Sequence, residues 1–447
     1  MNTLTYIFNH IYLIECFIIL TTTFVRSNTV GYYFEKQLSF RPYKPLSTIH
    51  GMLDKLTYLS TTFPFCIGTP SQCFDVSIDT ASPSSWLSNS ELHSYFNHTF
   101  DESKSTSFNK LQGVNSMLLD GSILIGSYIK EIPTPFNERN YKGNTPSKGF
   151  VLGLMSVTDL QHSILHQDGV IAIMRDVSDS NRYGNETTSY LDYLWDYNAI
   201  NKKVFVVDYK SNTIVFGDNA KYSSMNNKQT CDSNDNAFKY SWTCKLNEVV
   251  YDNEKIFAAE DERVFFDTLS QFIQVPYESG EYLFNKIVST NSEHCSIVQE
   301  DTGFNYIKCV NGFDVVKHIK RIDLVLSGSN ARLTVEPHDM FYYDSDNNVY
   351  LSSLVLSKHN KNNWMVGMPA MKNKIMIFNK DDNSVSFIEG GNSSKKGGHH
   401  KNFGMFFNTM AVTLCVFVVL IVALYIRRKI IISRNKVQGI DFSLVSD

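Results

Sequence analysis

Two short segments of this chain carry the same pattern of residue types, and the pattern ends in a carboxylate. They are Val76-Ser77-Ile78-Asp79-Thr80-Ala81-Ser82 and Val264-Phe265-Phe266-Asp267-Thr268-Leu269-Ser270, with the two Asp residues 188 positions apart. Each has an apolar run, then Asp, Thr, a small or apolar residue, and Ser. If the two Asp side chains meet, like charges at short range cannot both ionise, so one proton is shared and the pair titrates as a unit. The ionised partner then acts as base on a bound water while the protonated one polarises a carbonyl. Such a pair needs no cofactor, and no His or Cys spacing here suits a metal. Thr80, Ser82, Thr268 and Ser270 supply hydroxyls and backbone amides to hold the carboxylates and tie the two loops together.

For the two carboxylates to meet, each must end a strand at the interface of two packed halves of similar size. The texture of the chain fits strands. Phe and Tyr are abundant, and β-branched residues recur between Gly, Asn, Asp and Ser clusters. Residues 63–67 and 73–78 read as two strands joined by Gly68-Thr69-Pro70. Residues 117–119 and 122–125 read as a hairpin around Asp120-Gly121. Helices are few, with residues 188–200 the best candidate. The expected fold class is therefore all-β and bilobal, with a few short helices and a C-terminal transmembrane helix.

Several further pieces, in this order and spacing, resemble the pepsin-like aspartic peptidases across nearly all of residues 56–390. Ile67-Gly68-Thr69-Pro70-Ser71-Gln72 is similar to the turn before the first catalytic strand, and Trp86 to the tryptophan behind the flap. Asp120-Gly121-Ser122 resembles the flap tip, and Asp168-Gly169-Val170-Ile171-Ala172 the loop supporting the first Asp. Residues 191–205 and Phe216-Gly217-Asp218 are similar to the end of the first lobe. Trp364-Met365-Val366-Gly367 and Ile377-Phe378-Asn379 resemble the last strands of the second, and Cys295 with Cys309 its disulfide. The resemblance implies an aspartic endopeptidase with Asp79 and Asp267 as catalytic residues and no cofactor. Leu118, Asp120, Gly121, Ser122 and Trp86 would line flap and cleft. The substrate would be a peptide or protein, laid extended across the groove.

The chain departs from the family's Asp-Thr-Gly motif at Ala81 and Leu269, which stand where glycine does, and at Ala172. If those loops needed φ > 0, Leu269 would be strained; otherwise its side chain must leave the carboxylates free by pointing away from the groove. Leu118 stands where the family's flap has a tyrosine. Pro83 replaces a residue that is usually polar. These departures define the alternative, a catalytically inactive pepsin-like pseudopeptidase that binds peptide or protein in the cleft.

The flanks place the protein in the secretory pathway. Residues 1–27 read as a signal peptide around an apolar stretch at 6–24, and 28–55 as a possible short pro-segment or an N-terminal strand. The lobes are expected at 56–218 and 219–390, followed by a Gly- and Lys-rich stalk at 391–402. Residues 403–426 carry no charge and are long enough to cross a bilayer. Arg427, Arg428 and Lys429 follow at once, which makes 427–447 a cytoplasmic tail and the protein a single-pass type I membrane protein with a lumenal or extracellular catalytic domain. Of eight cysteines, six fall in sequence-local pairs, Cys66–Cys73, Cys231–Cys244 and Cys295–Cys309. An oxidising compartment is where such pairs would close, though six cysteines allow fifteen pairings. Asn97, Asn185 and Asn392 head glycosylation sequons. A net charge of -4 gives no reason to expect nucleic acid as a partner, and a monomer is expected. Trp195 and Trp242 read as core aromatics, and the Lys-Arg group around His318–Arg321 as a solvated strand edge. The scattered histidines, His98 among them, carry no pattern of chemistry.

Overall fold

The apolar run before Asp79 and its neighbour upstream form the first hairpin. Strand Tyr58–Ile67 pairs antiparallel with Gln72–Asp79, setting Cys66 opposite Cys73, and that disulfide is closed. The remaining two expected pairs, Cys231–Cys244 and Cys295–Cys309, are closed as well. This computed structural model describes residues 34–43 and 58–389, with breaks at 83, 95, 120–121, 134–148, 159–166, 176–188, 234–240, 259–260, 300–302, 329–330 and 359–361. The segments expected as signal peptide, stalk, membrane span and tail, with Asp120, Gly121, Pro83, Asn185 and Asn392, lie outside the described residues. Among those described, no helix is long and apolar enough to cross a membrane.

Each half builds one large sheet. The first, of eight strands, runs in the order Ser39–Tyr43, Tyr58–Ile67, Gln72–Asp79, Gly169–Ala172, Trp86–Ser88, Phe150–Thr158, Ser122–Glu131, Asn109–Leu119. The second has eleven strands. Its central part runs Val349–Ser357, Ile273–Pro276, Asn363–Val366, Arg263–Phe266, Thr243–Tyr251. The two sheets repeat one topology around the Asp-bearing strands. Gln72–Asp79 lies parallel to Gly169–Ala172, and Arg263–Phe266 parallel to Asn363–Val366. In each case a third strand, Trp86–Ser88 or Ile273–Pro276, joins antiparallel to that partner and parallel to the next strand out. The sequence echo is thus the trace of a structural repeat.

A third sheet of six strands joins the halves: Phe34–Gln37, Thr213–Phe216, Val204–Asp208, Ile375–Asn379, Ser384–Ile388, Gln229–Asp232. Residues Val204 to Asp208 pair in register with Asn379 to Ile375, so a division at 218/219 cuts through a shared element. Within the interval expected as pro-segment or strand, residues 34–37 pair with 213–216 and 39–43 with 58–62. The core beneath the Asp loops is aromatic. Phe205 and Phe378 stack at 4.6 Å, with Trp242 and Phe266 edge-on to Phe378, a geometry favoured by the ring quadrupole.

Other elements differ from the reading of the sequence. The longest helix described, Tyr277–Ser289, was not anticipated; Gly280, Leu283, Phe284 and Ile287 form its buried face. The segment at 188–200 is helical over Tyr190–Asp196, with Ser189 capping. There Trp195, in the last turn of the helix, is 40% exposed and not a core residue, whereas Trp242 is fully buried. Around His318 the chain forms a short helix, Val315–His318, and the strand starts only at Ile322, because the Asp314 side chain caps the turn.

Candidate active site

Asp79 is the last residue of its strand and Asp267 the first beyond its own. After each, the chain folds back so that two backbone N–H groups donate to the carboxylate. Ala81 and Ser82 donate to Asp79 Oδ1 at 2.7 and 2.9 Å, and Leu269 and Ser270 to Asp267 Oδ1 at 2.9 and 3.1 Å. Positive φ outside glycine is confined, among the described residues, to six Asn and one Asp, so neither Ala81 nor Leu269 occupies a left-handed conformation. The two loops hold their shape without glycine.

The threonines lock the loops to each other. Thr80 Oγ1 donates to the carbonyl of Phe266 at 2.7 Å, and Thr268 Oγ1 donates to that of Ile78 at 2.6 Å. Thr268 N–H also donates to Thr80 Oγ1 at 3.1 Å. Both side chains are buried, where an unmade bond is costly. Because each threonine grips the residue before the opposite Asp, the two Asp loops are tied together, and Asp79 lies near enough for its charge to act on Asp267.

Burial dominates the electrostatics. Asp79 is 4% exposed, and burial raises its pKa against the N–H groups of Ala81 and Ser82 and the Ser82 hydroxyl, which favour the charge. Asp267 is half-buried. Its pKa is pushed up to about 7, first by burial and then by the neighbouring charge of Asp79, with only two backbone donors opposing. The two serines are not equivalent. Ser82 turns its hydroxyl to Asp79, but Ser270 donates instead to the Phe272 carbonyl at 3.3 Å. The expectation that a hydroxyl serves each Asp therefore holds for one.

The walls are built by close backbone approaches. A Cβ on Gly367 would lie 2.2 Å from the Ser270 carbonyl, and one on Gly169 would lie 2.3 Å from that of Trp86. Ala172 tolerates its methyl, and its N–H is bonded by Ser85 Oγ at 2.9 Å. Asp168, 1% exposed, accepts from Asp75 N–H and His98 N–H, both at 2.9 Å, and its Oδ2 lies 2.8 Å from His98 Nδ1. Sequence reasoning missed this brace because the partners are 70 residues apart. Asn97, next to it, is exposed.

The expected flap is a hairpin of Asn109–Leu119 and Ser122–Glu131, at the edge of the first sheet, with Leu119 opposite Ser122 and Leu118 opposite Ile123. Behind it Trp86, Leu92, Phe96, Leu124, Met155 and Val170 form a buried apolar cluster, all from the first half. Trp86 Nε1 is buried with no hydrogen-bond partner among the described residues. One residue of the second half packs on this cluster, Leu269. Its side chain packs on the apolar residues of the opposite half.

No curated protein matches the chain in sequence. A model of the eukaryotic aspartyl protease family matches residues 62–389, and the chain belongs to that family.

Proposed function

We propose that this member of the eukaryotic aspartyl protease family is an active endopeptidase, and that Asp79 and Asp267 hydrolyse the peptide bond through one shared proton. The observation that carries the reading is the reciprocal threonine lock, which ties the two Asp loops to each other. Asp79 has three donors favouring its charge and Asp267 two, so Asp79 carries the charge and Asp267 the proton.

In this scheme Asp79 takes a proton from a water, whose oxygen bonds to the scissile carbonyl carbon while Asp267 protonates the carbonyl oxygen. The resulting diol then collapses. Asp79 gives its proton to the amide nitrogen, the C–N bond breaks, and Asp267 takes a proton from a diol hydroxyl. The products are an acid and an amine, and the pair again holds one proton. Thr80 and Thr268 keep the carboxylates in register, and the hairpin carrying Leu118 and Ser122 covers an extended peptide.

The protein is further proposed to act as a monomer on the lumenal or extracellular side of a membrane. It would be led there by the signal peptide at 1–27 and held by the span at 403–426. Three closed disulfides and the exposed Asn97 accord with an oxidising compartment. The test is a peptide-library digest across pH 3–7 with the purified full chain and its Asp79→Ala variant. Cleavage by wild type alone is expected; equal hydrolysis by the two would return the protein to a silent binder.

A further inference from the structure

Leu269 stands closer to the chemistry than any other large apolar residue of its loop. Its backbone N–H donates to Asp267 Oδ1 at 2.9 Å, so its Cα lies beside the reacting carboxylate. From there its side chain crosses to the apolar cluster of the other half. Two members of that cluster come from strands next to the site. Val170 lies two residues before Ala172, the strand partner of Asp79, and Leu124 lies on the hairpin strand Ser122–Glu131. Every cluster member is at most 5% exposed, while Leu269 is only partly buried. Leu269 is therefore the apolar cover that the second half contributes to the cluster.

A glycine here would leave the cluster open to the groove as an apolar recess adjoining the dyad, the kind of wall that takes up a bulky substrate side chain. Leucine fills that place from the enzyme's own chain. We propose that Leu269 is a specificity-determining residue: it occupies the apolar recess beside the Asp79–Asp267 pair, so the groove selects peptides with a small residue, Gly, Ala or Ser, at the position facing it. The inference deepens the endopeptidase reading and rests on it for the word substrate, but the occupancy of the recess is independent of catalysis. Because Leu269 is not in a left-handed conformation, its replacement by Ala leaves the loop's backbone geometry accessible, and Gly does so with more freedom.

The experiment compares full-length wild type, Leu269→Gly and Leu269→Ala in two assays, each variant first shown to be folded by its melting transition. Leu269→Ala carries the comparison should Leu269→Gly fail to fold. The first assay is a cleavage library with every residue varied on both sides of the scissile bond. The second is calorimetric binding of two peptide mimics, in which a secondary alcohol replaces the scissile amide, differing only in Ala or Phe at the position facing the recess. Wild type is expected to favour Ala over Phe by at least about tenfold, and Leu269→Gly to abolish or reverse that preference, the size of effect that pocket volume exerts on discrimination. A wild type indifferent to Ala or Phe, or a preference that moves by less than about threefold in the variants, overturns the proposal. So does a failure of both mimics to bind. If no peptide is cleaved yet the binding preference shifts as stated, the endopeptidase reading falls and the role of Leu269 stands.

Discussion

Replacing Asp267 by Asn should make the protein more stable at neutral pH while abolishing its proposed chemistry. The side chain is isosteric, and the Asn oxygen can still accept from Leu269 and Ser270 N–H, as Asp267 Oδ1 does. What disappears is a carboxyl whose pKa stands at about 7 against an ordinary 3.8. Between those values the native state holds a proton that the unfolded chain has released. Stability then falls as pH rises through the window and is level on either side. At 1.36 kcal/mol per pKa unit the ceiling is about 4 kcal/mol above pH 7. Because Asp267 is only half-buried, about 2 kcal/mol is the expected gain. Urea unfolding of wild type and Asp267→Asn at pH 3 to 8 reads it directly. The two curves should meet near pH 3.5 and separate progressively to pH 7, with Asp267→Asn on top. Parallel curves, or a variant that loses ground as pH rises, would refute the claim that burial and Asp79 hold the proton on Asp267.

Two other outcomes follow from the same geometry. Thr80→Val and Thr268→Val each strip a carbonyl of the opposite half of its buried donor, so each should cost about 1–3 kcal/mol; in combination, measured by urea midpoint, the costs should be less than additive because both cut one lock. Trp86→Phe should cost about 1–3 kcal/mol less than Trp242→Phe, since Trp242 Nε1 donates to the Ile173 carbonyl at 2.7 Å while Trp86 Nε1 has no partner among the described residues; equal losses in thermal melts would contradict that distinction.

Much of the site could be read from the chain because its chemistry imposes the same local demands twice. Each carboxylate needs an apolar strand before it and hydroxyls and amides after it, and those demands are met within seven residues around Asp79 and again around Asp267. The hairpin read at 117–125 and the disulfides were legible for a similar reason, since Asp-Gly and local cysteine pairs are short-range signals, although the paired strands extend well beyond it. What escaped depends on distance. The pairing of Val204–Asp208 with Ile375–Asn379 joins segments more than 160 residues apart. Helix Tyr277–Ser289 contains a Gly and four β-branched or small residues, Ser279, Ile287, Val288 and Ser289, that weaken its local signal, and it is packing of Gly280 against Val275 and Leu356 that places it. Leu269 and Ser270 show the limit most sharply. Their types were noted, but the turn of the Ser270 hydroxyl to Phe272 is set by the path of its own loop, and the apolar company of Leu269 comes from the opposite half of the molecule.

The central claim is that one proton shared by Asp79 and Asp267 drives hydrolysis, and the pH dependence of kcat/KM on a single cleaved peptide tests it most directly. Activity should follow a bell confined to acidic pH, with its upper limb closing by about pH 7, and should vanish in Asp79→Asn and Asp267→Asn alike. A rate that climbs through neutrality, or one that survives in either variant, would contradict it.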